Sequence, residues 1–254
     1  MRRDIQVSRY VTPLREGGSL PGIVEGADLG TYVCKFRGAG QGPKVLVAEV
    51  VASGLAARLG LRTPELVALD LSREIARYEA DEEVQDLLEA SVGLNLGVDF
   101  LPGAFGFEPD HGVDPGEAAK VLWFDALIAN VDRSWRNPNM LLWHDDLWVI
   151  DHGASLYFHH SWGGGVTDPA RFAAQRWDAS DHVLAAYVEG VEAVDAELRG
   201  RLARPVLTEV LAQVPDEWLE PVPGAPNPDA LRAAYCDFLE ARLAHDVWLP
   251  GGVV

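Results

Sequence analysis

Residues 124–153 read FDALIANVDRSWRNPNMLLWHDDLWVIDHG, and the interpretation of the whole chain starts from this stretch. Its first part is apolar and compatible with a helix. A polar loop follows and leads into a hairpin whose strands are rich in Leu, Trp, Val and Ile. In an antiparallel hairpin, the strand that starts at Asn139 pairs with the strand that ends at Ile150. The pattern therefore predicts that Asn137 and Asp151 meet at the open end of the hairpin.

A third oxygen-bearing side chain, Asp132, precedes this pair in the polar loop. Carboxylate and amide oxygens are the ligands that Mg²⁺ prefers. Phosphoryl transfer needs such a site, because the protein contributes mostly positioning and charge neutralisation. The spacing of Asp132 and Asn137 is that of the Asp and Asn in the protein-kinase catalytic loop, and Asp151-His152-Gly153 stands where a kinase has Asp-Phe-Gly. These positions predict Asp132 as the catalytic base and Asn137 and Asp151 as metal ligands.

Cationic groups for a polyphosphate are expected upstream of this loop. Lys35 lies among apolar residues in a predicted strand over residues 31–36, the placement of the kinase lysine that holds the α- and β-phosphates. Glu49 lies in an apolar helix predicted over residues 45–59 and is the expected ion-pair partner of Lys35. The glycine-rich segment that contains Gly18 and Ser19 precedes the lysine strand, and its backbone N–H groups are expected to cover the phosphates.

With these motifs the chain resembles the HipA-like kinases, relatives of protein kinases and phosphatidylinositol kinases. The resemblance rests on Asn130-Val-Asp-Arg-x3-Asn137, Asp151-His-Gly, Lys35 and the Gly18-Ser19 loop, and it covers roughly residues 14–160. It implies a two-lobed α+β fold of the protein-kinase type, ATP and Mg²⁺ as cofactors, and transfer of the γ-phosphate to a protein serine or threonine. The chain itself is included among the acceptors, with Ser19 as a candidate autophosphorylation site. The chain is short for HipA, so we expect a compact, standalone bacterial member, and the toxin's substrate is not carried over.

The expected lobes follow from composition and from the breaks in the chain. Residues 1–98 are predicted to form a mixed sheet lobe with the phosphate loop, the lysine strand and the glutamate helix. Residues 99–103 are predicted to form the connection between the lobes. Adenine is expected to lie against this connection, near Phe100 or Leu101. Residues 104–254 are predicted to form a helical lobe with the catalytic loop and the metal-binding hairpin. Residues 72–90 form an acidic stretch compatible with a helix, and helices are expected near residues 116–130, 178–203, 205–213 and 228–246.

Charge and composition exclude several classes of protein. A formal net charge of -18 argues against duplex nucleic acid as a partner, because such binding depends on cations that contact phosphates. No apolar run is long enough to cross a membrane, so we expect a soluble, cytoplasmic protein with no membrane partner. Cys34 and Cys236 lack the spacing of a redox or zinc motif and are expected to be buried free thiols. In so acidic a chain, ATP can be held only by local positive charges. The sequence does not identify the phosphate acceptor.

Other interpretations of the same motifs stay open. The segment Gly38-Ala-Gly-Gln-Gly42 invites a dinucleotide-binding reading, although the third glycine of that motif would fall at Pro43. Lys35 can also be a strand-edge lysine that extends to solvent. A nucleotide-binding regulator of the pseudokinase type, without transfer activity, is the alternative function.

Six polar residues around the hairpin allow a zinc or di-metal hydrolase. The group at the hairpin turn is expected at the opposite end from Asp151. His159 and His160 are adjacent, and on an extended segment their side chains would point to opposite sides. The six are His144, Asp145, Asp146, His152, His159 and His160.

Overall fold

The computed structural model describes residues 1–14, 20–40, 42–77 and 79–251, without the side chains of residues 2–4. Its contacts divide the chain into two compact units. The first consists of Met1–Leu46 and Pro64–Pro102, and the second of Val47–Thr63 and Gly103–Val254. The glutamate helix, α1 (Pro43–Leu59), is expected in the first lobe, but from Val47 onward it belongs to the second unit.

The first unit is a closed five-stranded barrel with the strand order β1-β2-β3-β5-β4. Neighbouring strands are antiparallel except β1 and β4, which pair in parallel and close the barrel. The strand β2 is not predicted from the sequence, because its five residues follow directly on a Gly/Pro-rich segment. The strands are β1 (Arg2–Pro13), β2 (Gly22–Gly26), β3 (Thr31–Lys35), β4 (Leu66–Leu71) and β5 (Gly93–Asp99).

The alternation of side chains along β3 decides which groups fill the barrel. Tyr32 and Cys34 are buried and pack with Val24, Leu69 and other apolar residues in one core cluster. Lys35 lies on the other face and is the last residue of the strand, not a mid-strand residue as expected. The strand therefore directs its lysine away from the barrel interior.

Two short helices, α2 (Arg73–Arg77) and α3 (Glu82–Ala90), belong to the first unit. The acidic stretch over residues 72–90, expected to be compatible with a helix, forms two helices rather than one continuous helix. Asp81 caps α3, since its carboxylate accepts the N–H groups of Glu83 and Val84. An aspartate in that position starts a new helix rather than continuing the previous one.

The described part of the second unit contains most of α1, five further α-helices and a small sheet of order β6-β7-β8. The buried guanidinium of Arg242 in α8 donates to the carbonyls of Ala126, Phe172 and Gln175 and so joins three helical segments. The helices are α1 (Pro43–Leu59), α4 (Pro115–Ile128), α5 (Pro169–Ala173), α6 (Val191–Arg201), α7 (Arg204–Leu211) and α8 (Pro228–Leu243). The strands are β6 (Phe105–Gly106), β7 (Met140–Trp143) and β8 (Asp146–Val149), and 3-10 helices cover Pro109–His111, Tyr157–Gly164, Ala185–Gly190 and Asp216–Trp218.

The hairpin and the last helix confirm their predictions. Trp143 pairs with Asp146, so His144 and Asp145 form a two-residue turn, both with positive φ. Asn227 caps α8 by accepting the N–H of Ala230.

The helix expected over residues 178–203 is wrong in its first half. The carboxylate of Asp178 accepts the N–H of Ser180 in a local turn, and the α-helix begins only at Val191.

Both cysteines are buried free thiols, as expected. Burial raises the pKa of the Cys34 thiol, so this group is an unreactive part of the barrel core. Within the described ranges, we find no helix with the length and apolar character needed to cross a membrane.

Candidate active site

The polar loop begins where α4 ends on a left-handed residue. Ala129 has φ of 51° and terminates the helix without a glycine. The next residue, Asn130, turns back on the helix: its N–H donates to the carbonyl of Asp125, and its side-chain amide donates to the Asp125 carboxylate at 2.9 Å. The loop therefore leaves the helix in a fixed direction.

Asp132 is held in place by two amides of the same loop. The Nδ2 atoms of Asn137 and Asn139 each donate to Oδ2 of Asp132 at 3.0 Å. The backbone N–H of Asp132 donates to Oδ1 of Asn130. These bonds use one carboxylate oxygen and orient the other, which a general base needs before its substrate arrives.

Arg133 is the buried centre of the loop. Its Nε donates to Oδ2 of Asp125 at 2.6 Å, and both side chains are completely buried. Its other nitrogens donate to the carbonyls of Asn139 and Ile150, at the open end of the hairpin, and to Nδ1 of His152. One cation thus joins the loop, the hairpin and the turn that follows it.

Asp125 is the carboxylate that accepts hydrogen bonds from both Arg133 and His182. Burial by itself would raise its pKa, but the charge of Arg133 and the hydrogen bonds from His182 and Arg133 outweigh burial and lower the pKa well below its usual range. His182 places Nε2 at 3.0 Å from Asp125, while its Nδ1 accepts the N–H of Leu184. Hence the ring carries its hydrogen on Nε2 and donates to the carboxylate.

The hairpin pairing ends where Ile150 N–H donates to the Asn139 carbonyl at 3.0 Å. Asp151 follows at once in the left-handed region, with φ of 54°, which Asp tolerates better than most residues. Two residues later, the N–H of Gly153 donates to Oε1 of Glu49 at 2.8 Å. Glu49 is buried in α1, so this carboxylate anchors the turn that carries Asp151.

The structure brings some of the predicted site residues together. Asp132 and Asn137 are hydrogen-bonded to each other, and Glu49 contacts the Asp151-His152-Gly153 turn. Asp132 is partly buried, while Asn137 and Asp151 are exposed.

The remaining predicted site residues either belong to the first unit or are not among the residues that the structure describes. Lys35 and Phe100 are in the first unit, and so is the buried Leu101. The N–H of Phe100 donates to the carbonyl of Thr31, so this donor is already engaged within the protein. Gly18 and Ser19 lie outside the described residues.

The donor atoms of the loop fit a hard cation. The Nδ2 atom of Asn137 is used on Asp132, which leaves Oδ1 as the atom that could bind a metal, and Asp151 would have to supply a carboxylate. Mg²⁺ takes one or two protein oxygens together with waters and phosphate oxygens, so a set of this size suits it.

The hydrolase interpretation finds no support in the described part of the chain, where no three His, Cys, Asp or Glu side chains are grouped to hold a metal ion. The expectation for His159 and His160 is wrong. Their segment is a 3-10 helix and not extended, so the two Nε2 atoms approach to 3.1 Å.

Sequence reasoning missed the residues that hold the site together. Asn139 was treated only as the start of a strand, and Arg133 only as the neighbour of the base. A signal for Asn139 existed in the sequence, since Asn137-Pro138-Asn139 places two amides around a proline next to Asp132. Asp125 and His182 gave no such signal, because their roles depend on burial.

Comparison with known proteins shows which family the chain resembles. A profile of the HipA-like kinase family matches residues 7–234, well beyond the range on which the resemblance was based. No curated protein sequence matches the chain.

Solved structures resemble the chain to different degrees. The Helicobacter pylori proinflammatory kinase CtkA is similar, with a TM-score of 0.57, 11% identity and 96% of both chains covered. The Golgi casein kinase gives a TM-score of 0.45 and 12% identity over 95% of this chain and 72% of that one. The predicted α+β kinase-like fold, with a strand-rich and a helical part, is confirmed. Since the family match spans most of its length, the chain belongs to the HipA-like kinases and is a phosphotransferase.

Proposed function

We propose that this kinase transfers the γ-phosphate of ATP to a hydroxyl group of a protein, with Asp132 as the catalytic base. The observation that carries the proposal is the pair of amides on one oxygen of Asp132. That carboxylate cannot rotate without breaking both bonds, so its second oxygen is available in a fixed place to take the proton of the attacking hydroxyl.

Asn137 and Asp151 would hold the divalent metal, which we propose is Mg²⁺, through Oδ1 and a carboxylate oxygen. When bound, the metal neutralises the charge of the transferred phosphoryl group. Arg133 keeps both ligands in register, because it binds the carbonyls of Asn139 and Ile150 on the two sides of the hairpin. Glu49 fixes the turn after Asp151 through the N–H of Gly153.

The nucleotide would be held by residues outside this loop. We assign the α- and β-phosphates to Lys35 and to the segment with Gly18 and Ser19, and adenine to Phe100 and Leu101. Ser19 is also the first residue to examine for autophosphorylation.

The test is Mg²⁺-dependent turnover of γ-labelled ATP by the full chain and by Asp132→Asn, with mass spectrometry for phosphate on Ser19 and other hydroxyls. We expect the variant to bind ATP with similar affinity and to turn it over about 10²- to 10⁴-fold more slowly. Asp145→Asn, the same substitution at the exposed hairpin turn, is the matched control and should keep full activity.

Three results of this comparison between the wild type and Asp132→Asn would be decisive. Turnover that is lost in Asp132→Asn supports the proposal. If both proteins bind ATP and neither reacts, the chain is a nucleotide-binding regulator. Full activity of Asp132→Asn would show that another residue is the base.

A further inference from the structure

The loop that carries the proposed base has an unusual exposed surface. Val131 and Trp135, on either side of Asp132 in the sequence, are 63% and 56% exposed. Large apolar side chains with such exposure, when grouped at one place, mark binding surfaces. Trp is also among the residues most enriched at the energetic centres of protein interfaces.

Trp135 holds an arginine in a defined position. The guanidinium carbon of Arg136 lies 4.1 Å from the centroid of the Trp135 ring. Such stacking orients the planar guanidinium while its N–H groups stay directed to solvent. A guanidinium held in this way is suited to bind a carboxylate with two parallel hydrogen bonds.

A second segment is attached to the same loop. The N–H of Trp135 donates to the carbonyl of Asp181 at 3.2 Å, and the indole of Trp177 donates to the carbonyl of Asn130 at 2.7 Å. Arg176, directly before Trp177, is exposed. The segment of residues 176–181 thus adds a second exposed arginine next to the base loop.

These arginines differ from most others in the second unit. Seven of the latter form ion pairs with carboxylates, namely Arg58, Arg62, Arg133, Arg199, Arg201, Arg204 and Arg232. Arg136 and Arg176 form no ion pair with any described residue. Asp178 and Asp181 lie in the same segment as Arg176 and are exposed, but neither carboxylate forms an ion pair with Arg136 or Arg176.

We propose that the acceptor is a polypeptide with acidic residues next to the phosphorylated hydroxyl, bound by Arg136 on Trp135 and by Arg176. This inference rests on the proposed function. In a protein with a net charge of -18, an acidic partner is repelled overall and is held only where local cations are not neutralised. Val131 and Trp135 supply the apolar contact that distinguishes a polypeptide from a small anion.

The experiment compares three synthetic peptides with a central serine and one leucine, flanked by glutamates, by glutamines or by lysines. With the full chain and Mg²⁺-ATP, we expect the glutamate peptide to be preferred and its KM to rise with salt. Arg136→Ala should raise that KM about tenfold, with a much smaller change in the KM for ATP. Arg136→Glu should shift the preference to the lysine peptide.

Arg58→Ala is the matched control, because it removes an exposed arginine that is paired with Glu209. It should leave the KM for each of the three peptides unchanged. Trp135→Leu keeps apolar bulk but removes the ring under Arg136. We expect this variant to raise the KM for the glutamate peptide, as Arg136→Ala does.

The outcomes separate this inference from the proposed function. Turnover that depends on Asp132, together with equal use of the three peptides, would overturn the acidic-acceptor inference and leave the kinase assignment intact. Phosphorylation of phosphatidylinositol in vesicles, with no peptide used, would overturn it as well. Loss of Asp132 without effect on any turnover would instead refute the proposed base.

Discussion

Arg133 is the residue on which the geometry of the loop depends most, because its buried charge is shared between Asp125 and the carbonyls at the open end of the hairpin. Arg133→Met leaves the Asp125 carboxylate buried without its cation. We expect the free energy of unfolding, measured by urea denaturation, to fall by about 3–5 kcal/mol.

The double variant Arg133→Met with Asp125→Asn removes the uncompensated charge and should recover part of this loss. Arg58→Met, at an exposed ion pair, should cost less than about 1 kcal/mol. An Arg133→Met protein as stable as the wild type would show that the network does not hold the loop.

The lowered pKa of Asp125 predicts how stability depends on pH. The folded state holds this carboxylate ionised to lower pH than the unfolded state does. Its contribution is therefore complete above the unfolded pKa of about 4 and is lost as pH falls through the lower folded pKa. Urea denaturation at successive pH values should show that the free energy of unfolding falls more steeply with decreasing pH for the wild type than for Asp125→Asn. Equal slopes would contradict the assignment.

Only part of the site could be predicted at the scale of residues. The spacing of Asp132 and Asn137 is visible in the sequence, because motif chemistry depends on residue type and separation. Arg133 and His182 could not be assigned, since their contacts with Asp125 depend on burial, and His182 lies 57 residues from Asp125 in the sequence. A buried charge looks like any other charge in a sequence.

Among the elements, the β7–β8 hairpin offers a direct test of its turn. His144 and Asp145 have φ of 52° and 65°, the conformation of a type I′ turn that favours Asn-Gly. Asp145→Gly should therefore raise the melting temperature, by an amount equivalent to about 0.5–1 kcal/mol.

The neighbouring substitution should act in the opposite direction. Asp146 is in the strand and pairs with Arg62 at 2.8 Å, so Asp146→Gly removes an ion pair and adds a glycine to β8. If both glycine variants shift the melting temperature alike, the turn conformation is not the cause.

Elements were predicted well where residues adjacent in the sequence determine where the element begins or ends. The hairpin and the Asn227 cap depend on neighbouring residues, and both were found. The break before α3 and the turn at Asp178 were missed, because helical periodicity outweighed a single capping aspartate. Closure of the barrel could not be predicted, since the parallel pairing of β1 with β4 joins strands far apart in sequence.

At the scale of the whole molecule, the net charge of -18 sets the terms for binding a polyphosphate. The acidic surface repels the nucleotide, so affinity must come from local cations and from the metal. We therefore propose that Asn137 and Asp151 hold the metal that accompanies the nucleotide.

The most direct measurement is the electron paramagnetic resonance signal of free Mn²⁺ titrated with the full chain in the presence of a non-hydrolysable ATP analogue. We predict that Mn²⁺ binds with the analogue, and that Asp151→Asn and Asn137→Ala each weaken this binding at least about tenfold. Asp145→Asn should bind as the wild type does. Unchanged Mn²⁺ binding in both site variants, with the fold intact by circular dichroism, would contradict the account.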